Sequence, residues 1–300
     1  MAQIFTARPR RSVLYMPGAN ERALEKARNI PADTLILDLE DSVGPDFKVE
    51  ARKRVCLAIQ EGGYGPRELV IRVNGLDTAW GEADFESAIA AKPDAILVPK
   101  VSSREDVKAL NQRFSNAAAH AKIALWVMME TPQAILSAFQ IAEVTRDPNN
   151  RLTNFIMGTN DLAKDMQLIQ TQDRTPLLTS LSLCILAARS FGVGITDGVY
   201  NDLKNQNGFA SSVQQSRELG FDGKTLIHPT QVGPCNEVFS PPLEEVQAAQ
   251  EIVAAFESPE NKGKGVITVN GKMVERLHAE IARRTVAISE AIAEMESGTQ

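Results

Sequence analysis

The stretch IALWVMMETP, residues 123–132, decides how this chain is read. From Ile123 to Met129 every residue is apolar, with no alternation. Such a run fits a parallel strand buried on both faces. It ends in a carboxylate, Glu130, and then Thr131 and Pro132 supply an N-cap and a first helical position. A strand passing straight into a helix, with an acid at the junction, is the unit that the rest of the sequence repeats.

The next instance is FIMGTNDLA (155–163), which breaks at Gly158 and presents Asn160 and Asp161 before returning to apolar residues. Working outward, comparable runs are SVLYM (12–16), TLILDLE (34–40), ELVIRV (68–73), AILVPK (95–100), IALWVMME (123–130), NFIMG (154–158), GVGITD (192–197) and KTLIH (224–228). Helical patterns lie between them. ERALEKARN (21–29) gathers Ala23, Leu24 and Ala27 on one face. SREDVKAL opens with a capping box from Ser102 to Glu105, and Gly220 in LGF reads as a left-handed helix end.

Eight strand–helix units predict a (β/α)8 TIM barrel over residues 1–240 rather than an open doubly wound sheet. No Gly-rich fingerprint follows the first strand, and GVG at 192–194 is too short for a dinucleotide loop. Residues 241–300 read as a C-terminal extension of helix and hairpin. SPPLEEVQAAQEIVAAFE is a Pro-started helix and ESPENKGKG (257–265) a polar linker. GVITVNGKMV is a hairpin turning at Asn270-Gly271, and a last helix runs from about Glu275 to Ala293.

The chain has 300 residues, 43% hydrophobic and 23% charged, with net charge −6. That is a globular balance, without the basic stripe of a duplex-binding protein. No apolar run reaches the ~18 residues of a membrane span. Cys56, Cys184 and Cys235 form neither a CxxC pair nor a disulfide framework, which predicts a reducing, cytoplasmic setting. The N-terminal MAQIFTARPRRSV lacks the apolar core of a signal peptide.

In a barrel of this type the chemistry lies at the C-terminal ends of the strands. The polar residues there are Asp38, Glu40 and Asp41, then Arg72, Lys100, Glu130, Asn160 with Asp161, Asp197 and His228. Glu130 and Asp161, from adjacent strands, suit Mg2+, which takes one or two carboxylates and leaves the rest of its shell to water and substrate. They equally suit an ion-pair partner and an N-cap. Arg72, inside VIRV, reads either as a salt-bridge partner of Asp38 or Glu40 or as a clamp for a substrate carboxylate or a developing enolate. Strand alternation puts Asp38 and Glu40 on one side and Leu39 and Asp41 on the other. Some of these acids are expected to hold Arg72 and Lys100 in place. His228, ahead of Pro229, fits a cap better than catalysis.

Taken in order, RSVLYMPGANERALEKA (11–27), LDLEDSVGPDFKVEAR (37–52), RVNGLD (72–77), ILVPKV (96–101), METP (129–132), GTNDLA (158–163) and LIHPTQV (226–232) resemble the HpcH/HpaI aldolase and citrate lyase β-subunit superfamily. The likeness is greatest to its CoA-ester lyase branch, the malyl-CoA and citramalyl-CoA lyases. The resemblance implies a (β/α)8 barrel and cleavage or formation of a carbon–carbon bond between an acyl-CoA thioester enolate and a 2-oxo acid.

It further implies Mg2+, with Mn2+ as an alternative, on Glu130 and Asp161, and Arg72 near the reacting carbonyls. Lys100, Gly158 and Asn160 are expected to line the substrate site. Backbone N–H groups after Glu130 and Asp161 are candidates to hold the acid's carboxylate, and Arg22 and Lys26 to meet the CoA phosphates. The lyases carry an Asp in a C-terminal GKMVD-like segment that covers a neighbouring subunit's site as general acid or base. This chain has Glu275 in GKMVERLH, where it also suits the start of a helix. A homotrimer or homohexamer is expected. The departure at Glu275 keeps three other readings open: a malyl-CoA-type thioesterase, a class II aldolase on free acids, and a citrate lyase β-like component working on an acyl carrier protein.

Overall fold

The computed structural model describes residues 8–298. The basic N-terminal stretch read above thus lies partly outside the described residues. Eight parallel strands close into a barrel in chain order: β1 (Ser12–Pro17), β2 (Thr34–Asp38), β3 (Glu68–Arg72), β4 (Ala95–Val98), β5 (Ala124–Met129), β6 (Leu152–Met157), β7 (Gly194–Asp197) and β8 (Gly223–Leu226). β8 pairs back to β1 through Ser12 with Lys224. The (β/α)8 expectation holds.

Helices follow the strands: α1 (Glu21–Ala27), α2 (Lys48–Glu61), α3 (Gly81–Ala91), α4 (Arg104–Asn116), α5 (Pro132–Leu136), α6 (Ala138–Glu143), α7 (Thr159–Asp165), α8 (Leu178–Phe191), α9 (Gln206–Leu219) and α10 (Val232–Phe239). Local chemistry sets their ends. The Asn20 side chain accepts from Ala23 N–H ahead of α1, and Thr131 caps α5 by accepting from Ala134 N–H, with Pro132 first in the helix. Gly192 and Gly220, at φ 68° and 97°, end α8 and α9 in the left-handed region open to glycine.

One cap differs from expectation by a residue. The capping box of α4 runs from Ser103 to Asp106, not from Ser102 to Glu105. Ser102 is engaged elsewhere, with its hydroxyl 2.9 Å from that of Thr131 and 3.2 Å from the Lys100 carbonyl.

The bore is filled by Val13, Ile36, Val70, Ala95, Leu97, Trp126, Met128 and Ile156, with Tyr15 and Ala124 packed against them. These residues alternate along their strands (Val13 and Tyr15, Ala95 and Leu97, Trp126 and Met128), so they share the inward face. Continuing the alternation brings Asp38 on β2, Arg72 on β3 and Glu130 just past β5 onto the same face, one level nearer the C-terminal rim. The apolar bore thus leads into a charged mouth.

The chain divides into two compact units, Arg10–Asn236 and the part from Glu237 onward. Within the latter are α11 (Leu243–Glu257), a hairpin of β9 (Val266–Val269) and β10 (Lys272–Glu275), and α12 (Arg276–Ser297). The hairpin turns at Asn270 and Gly271, both at positive φ (51° and 75°), the signature of the expected two-residue turn. The last helix runs four residues further than expected, since MES after Glu294 keeps helix-forming side chains. Among the described residues no helix is long and apolar enough to cross a membrane.

Candidate active site

At the mouth, Arg72 is held by acids on three sides. Its Nε and one terminal nitrogen meet the two Asp38 oxygens at 2.6 and 2.7 Å. Its other terminal nitrogen, Nη1, lies 2.8 Å from Glu40 and 3.1 Å from Asp41. The ring of Tyr15 covers the guanidinium at 4.7 Å. The salt-bridge reading of Arg72 is therefore realised, with all three guanidinium nitrogens engaged by acids.

The expected separation of Asp41 from Glu40 is corrected here. β2 ends at Asp38, whose carboxylate accepts from the N–H groups of Glu40 and Ser42. That turn replaces strand alternation and swings Asp41 toward Arg72. Nor do these acids bond to Lys100; their partner is Arg72.

A buried network fixes the turn from behind. Lys48 Nζ donates to the carbonyls of Leu39 (2.9 Å) and Glu40 (2.7 Å) and to Asn74 Oδ1 (2.7 Å). Asn74 in turn donates to the Leu39 carbonyl and to Asp84, and Asp84 is paired with Arg52. Sequence reasoning missed these residues. Their signal, charged and amide groups in KVEAR and RVNG, is visible only once the turn after β2 is known to need donors.

The second group forms around Lys100. This residue sits at φ 58°, and its N–H donates to Glu130 Oε1 at 2.8 Å. Its ammonium contacts Asp161 and lies 3.6 Å from Glu130. Gly158 makes this close approach feasible, since a Cβ there would overlap Glu130 Cβ and stand 2.7 Å from its Oε2. The two carboxylates thus share one cation, and the cation present is an ammonium.

Charge explains how these groups titrate. The mouth carries five carboxylates (Asp38, Glu40, Asp41, Glu130, Asp161) against two cations (Arg72, Lys100). Burial pushes Glu40 up to about 8, with Arg72 opposing and Asp41 and Glu130 adding to the rise. Burial likewise raises Glu130 against the pull of Lys100. For Asp38 burial is overcome by the Arg72 pair, and its carboxyl is held below the usual range.

Excess negative charge around two convergent carboxylates is the donor set for a hard cation. Among the described residues no three His, Cys, Asp or Glu side chains are grouped so as to hold a metal ion between them. That excludes from them a closed structural zinc centre of four protein ligands. It fits Mg2+, which is content with two carboxylates plus water and substrate. In this structure the Lys100 ammonium supplies the positive charge beside the two carboxylates.

Other expected residues sit elsewhere. Asn160 is exposed, and its amide is paired both ways with that of Asn201, at 2.8 and 3.3 Å. The helix start after Glu130 offers few donors, because Pro132 has no N–H and Thr131 already occupies that of Ala134. Arg22 and Lys26 are exposed, one turn apart on α1. Asp197 is not a mouth residue. It is fully buried between Lys224 (2.7 Å), Arg174 (2.6 Å) and Ser216. Burial opposes its ionisation, but Lys224 and Arg174 bring it down to about 2. His228 caps the turn at Pro229, with Nδ1 2.7 Å from the Thr230 hydroxyl. In the C-terminal unit Glu275 is the N-cap of α12, and its N–H donates to His278 Nδ1 at 3.0 Å.

Known proteins share the sequence pattern and the fold of this chain. The pattern of the HpcH/HpaI aldolase/citrate lyase family matches residues 11–229. A (3S)-malyl-CoA thioesterase of Cereibacter sphaeroides is 49% identical over 287 residues, 96% of this chain and 97% of that protein. Citrate lyase subunit beta of Escherichia coli is 34% identical over 273 residues, 89% of each chain. A solved citrate lyase beta subunit from M. tuberculosis, complexed with oxaloacetate and magnesium, superposes with a TM-score of 0.66 at 25% identity, covering 79% of this chain and 99% of the other. The protein belongs to the HpcH/HpaI aldolase/citrate lyase family of enzymes.

Proposed function

We propose that the barrel mouth is a Mg2+-dependent site for a malyl-CoA-type thioester and that the reaction is hydrolysis, giving malate and CoA. The observation that carries the site is the sharing of one cation by Glu130 and Asp161 beside Arg72. Support for hydrolysis over carbon–carbon cleavage is the similarity, across 96% of the chain, to proteins named malyl-CoA thioesterase. It agrees with the Glu rather than Asp at position 275.

Glu130 and Asp161 would hold the ion, which when bound supplies Lewis-acid stabilisation to substrate oxygens. Arg72, oriented by Asp38, offsets the charge that grows on the thioester oxygen as the acyl carbon is attacked. Lys100 adds a second cation for the acyl carboxylate. Gly158 keeps space beside Glu130. Asn160 contributes at the rim, and the exposed Arg22 and Lys26 meet the CoA phosphates. Glu275, brought by a neighbouring copy, takes the proton of the attacking water. This last step calls for an oligomer, a homotrimer or homohexamer, which light scattering measures.

The test is product analysis. Malyl-CoA with Mg2+ should yield free malate and CoA without glyoxylate or acetyl-CoA, and Glu130→Ala should abolish the yield. A second reading, cleavage to acetyl-CoA and glyoxylate, is favoured by the similarity to citrate lyase subunit beta. Appearance of glyoxylate would establish it in place of hydrolysis.

A further inference from the structure

Tyr15 covers Arg72 with its ring, yet its hydroxyl has no part in the site built so far, and its side chain occupies the bore directly beneath that site. In the closed ring of eight, β5 lies opposite β1. The Tyr15 hydroxyl reaches Met128 Sδ on β5 at 3.7 Å, so the side chain crosses the bore. Met128 stands two residues before Glu130, on the same inward face. The ring packs on the apolar cluster below and covers Arg72 above, at 4.7 Å. Tyr15 is therefore the floor of the mouth, and it is only half-buried.

The hydroxyl's bonding is poor for such a place. A buried or half-buried tyrosine O–H ordinarily finds an oxygen or nitrogen acceptor, whereas a thioether sulfur is a weak one. Burial raises the phenol's pKa, Arg72 lowers it, and Asp38, Glu130 and Glu40 raise it further; the net direction is up. It remains a donor at neutral pH. A donor held in place by ring packing, weakly satisfied, and adjacent to both a guanidinium and a metal-type carboxylate is matched to an incoming oxygen.

We infer that Tyr15 is a substrate-contacting residue whose hydroxyl donates to an oxygen of the acyl group bound in the barrel mouth, favouring oxygen-bearing acyl chains over hydrocarbon ones. The inference rests on the proposed reading of the mouth as the acyl site. It adds a neutral donor from below to the charged groups at the rim.

Tyr15→Phe removes the oxygen and keeps the ring on Arg72. With Mg2+ saturating, the variant should bind L-malate about tenfold more weakly by calorimetry. It should raise KM for malyl-CoA by a similar factor with kcat changed less than about twofold, as expected for lost ground-state binding. An unchanged melting temperature would confirm that packing is intact. Equal malate affinity in the two proteins, or no malate binding by the wild type, overturns the assignment. Failure of the wild type to hydrolyse malyl-CoA would count against the proposed reaction alone, because the malate comparison still decides Tyr15.

Discussion

Arg72 and Asp38 face each other edge to edge, two nitrogens on two oxygens, with Asp38 almost wholly buried. That fork fixes the guanidinium plane and so decides where Nη1 points. A lysine at this position keeps the charge but cannot hold both oxygens. Arg72→Lys should lower kcat about 100-fold or more while leaving the protein folded, measured by turnover alongside circular dichroism.

Lys100 competes with any cation for Glu130 and Asp161. Lys100→Met should tighten Mg2+ binding several-fold, read by calorimetry, because a like charge is removed. The same change should lower kcat/KM, because the acyl carboxylate loses a partner. Opposite signs in the two assays distinguish a competing ammonium from a merely structural one.

Gly158→Ala would drive a methyl into Glu130. Overpacking of this kind costs about 1–3 kcal/mol. Displacement of the carboxylate should weaken Mg2+ binding more than it lowers the melting temperature. Titration of the variant with Mg2+, beside its thermal unfolding curve, checks the relation.

Glu40 gives a pH signature. Its carboxyl, ordinarily near 4.5, is pushed up to about 8 by burial. Between these values the folded state holds a proton that the unfolded state has released, so stability falls as pH rises through the window. In EDTA the melting temperature should therefore decline from pH 5 to pH 8, and Glu40→Gln should flatten the decline. Asp197 acts in the opposite sense. Its stabilisation is complete above 3.8 and lost as pH falls toward 2.

Lys48 donates to two carbonyls and an amide from a buried position. Lys48→Met takes a donor from the Glu40 carbonyl and the Asn74 amide oxygen, leaves the Leu39 carbonyl only Asn74, and should cost about 2–4 kcal/mol in urea unfolding. It should also loosen the turn bearing Glu40 and Asp41, lowering kcat.

The barrel was legible because strands buried on both faces spell themselves as unbroken apolar runs, and the rim acids follow each run directly. Glu130 and Asp161 were readable as a pair for that reason, whereas Lys100 was expected beside the acids at 38–41 and joins this pair only through the fold. The cap of α4 was not, since Ser102 and Ser103 each precede an acid by three residues and only the Thr131 contact separates them. Asp41 escaped because alternation stops where a strand stops. Tyr15 was hidden most completely. Inside SVLYM it reads as filling, and its meaning depends on which strand lies across the bore, a relation between residues more than a hundred positions apart.

The mouth draws its charged groups from five separate loops or strand ends, at residues 38–41, 72, 100, 130 and 161, each carried by its own stave of the cylinder. Because no stave depends on a neighbouring loop for its pairing, one loop can be rewritten while the others keep their register. A hydrolase and a carbon–carbon lyase can thus share the same cask and differ only in a single fitting at its lip.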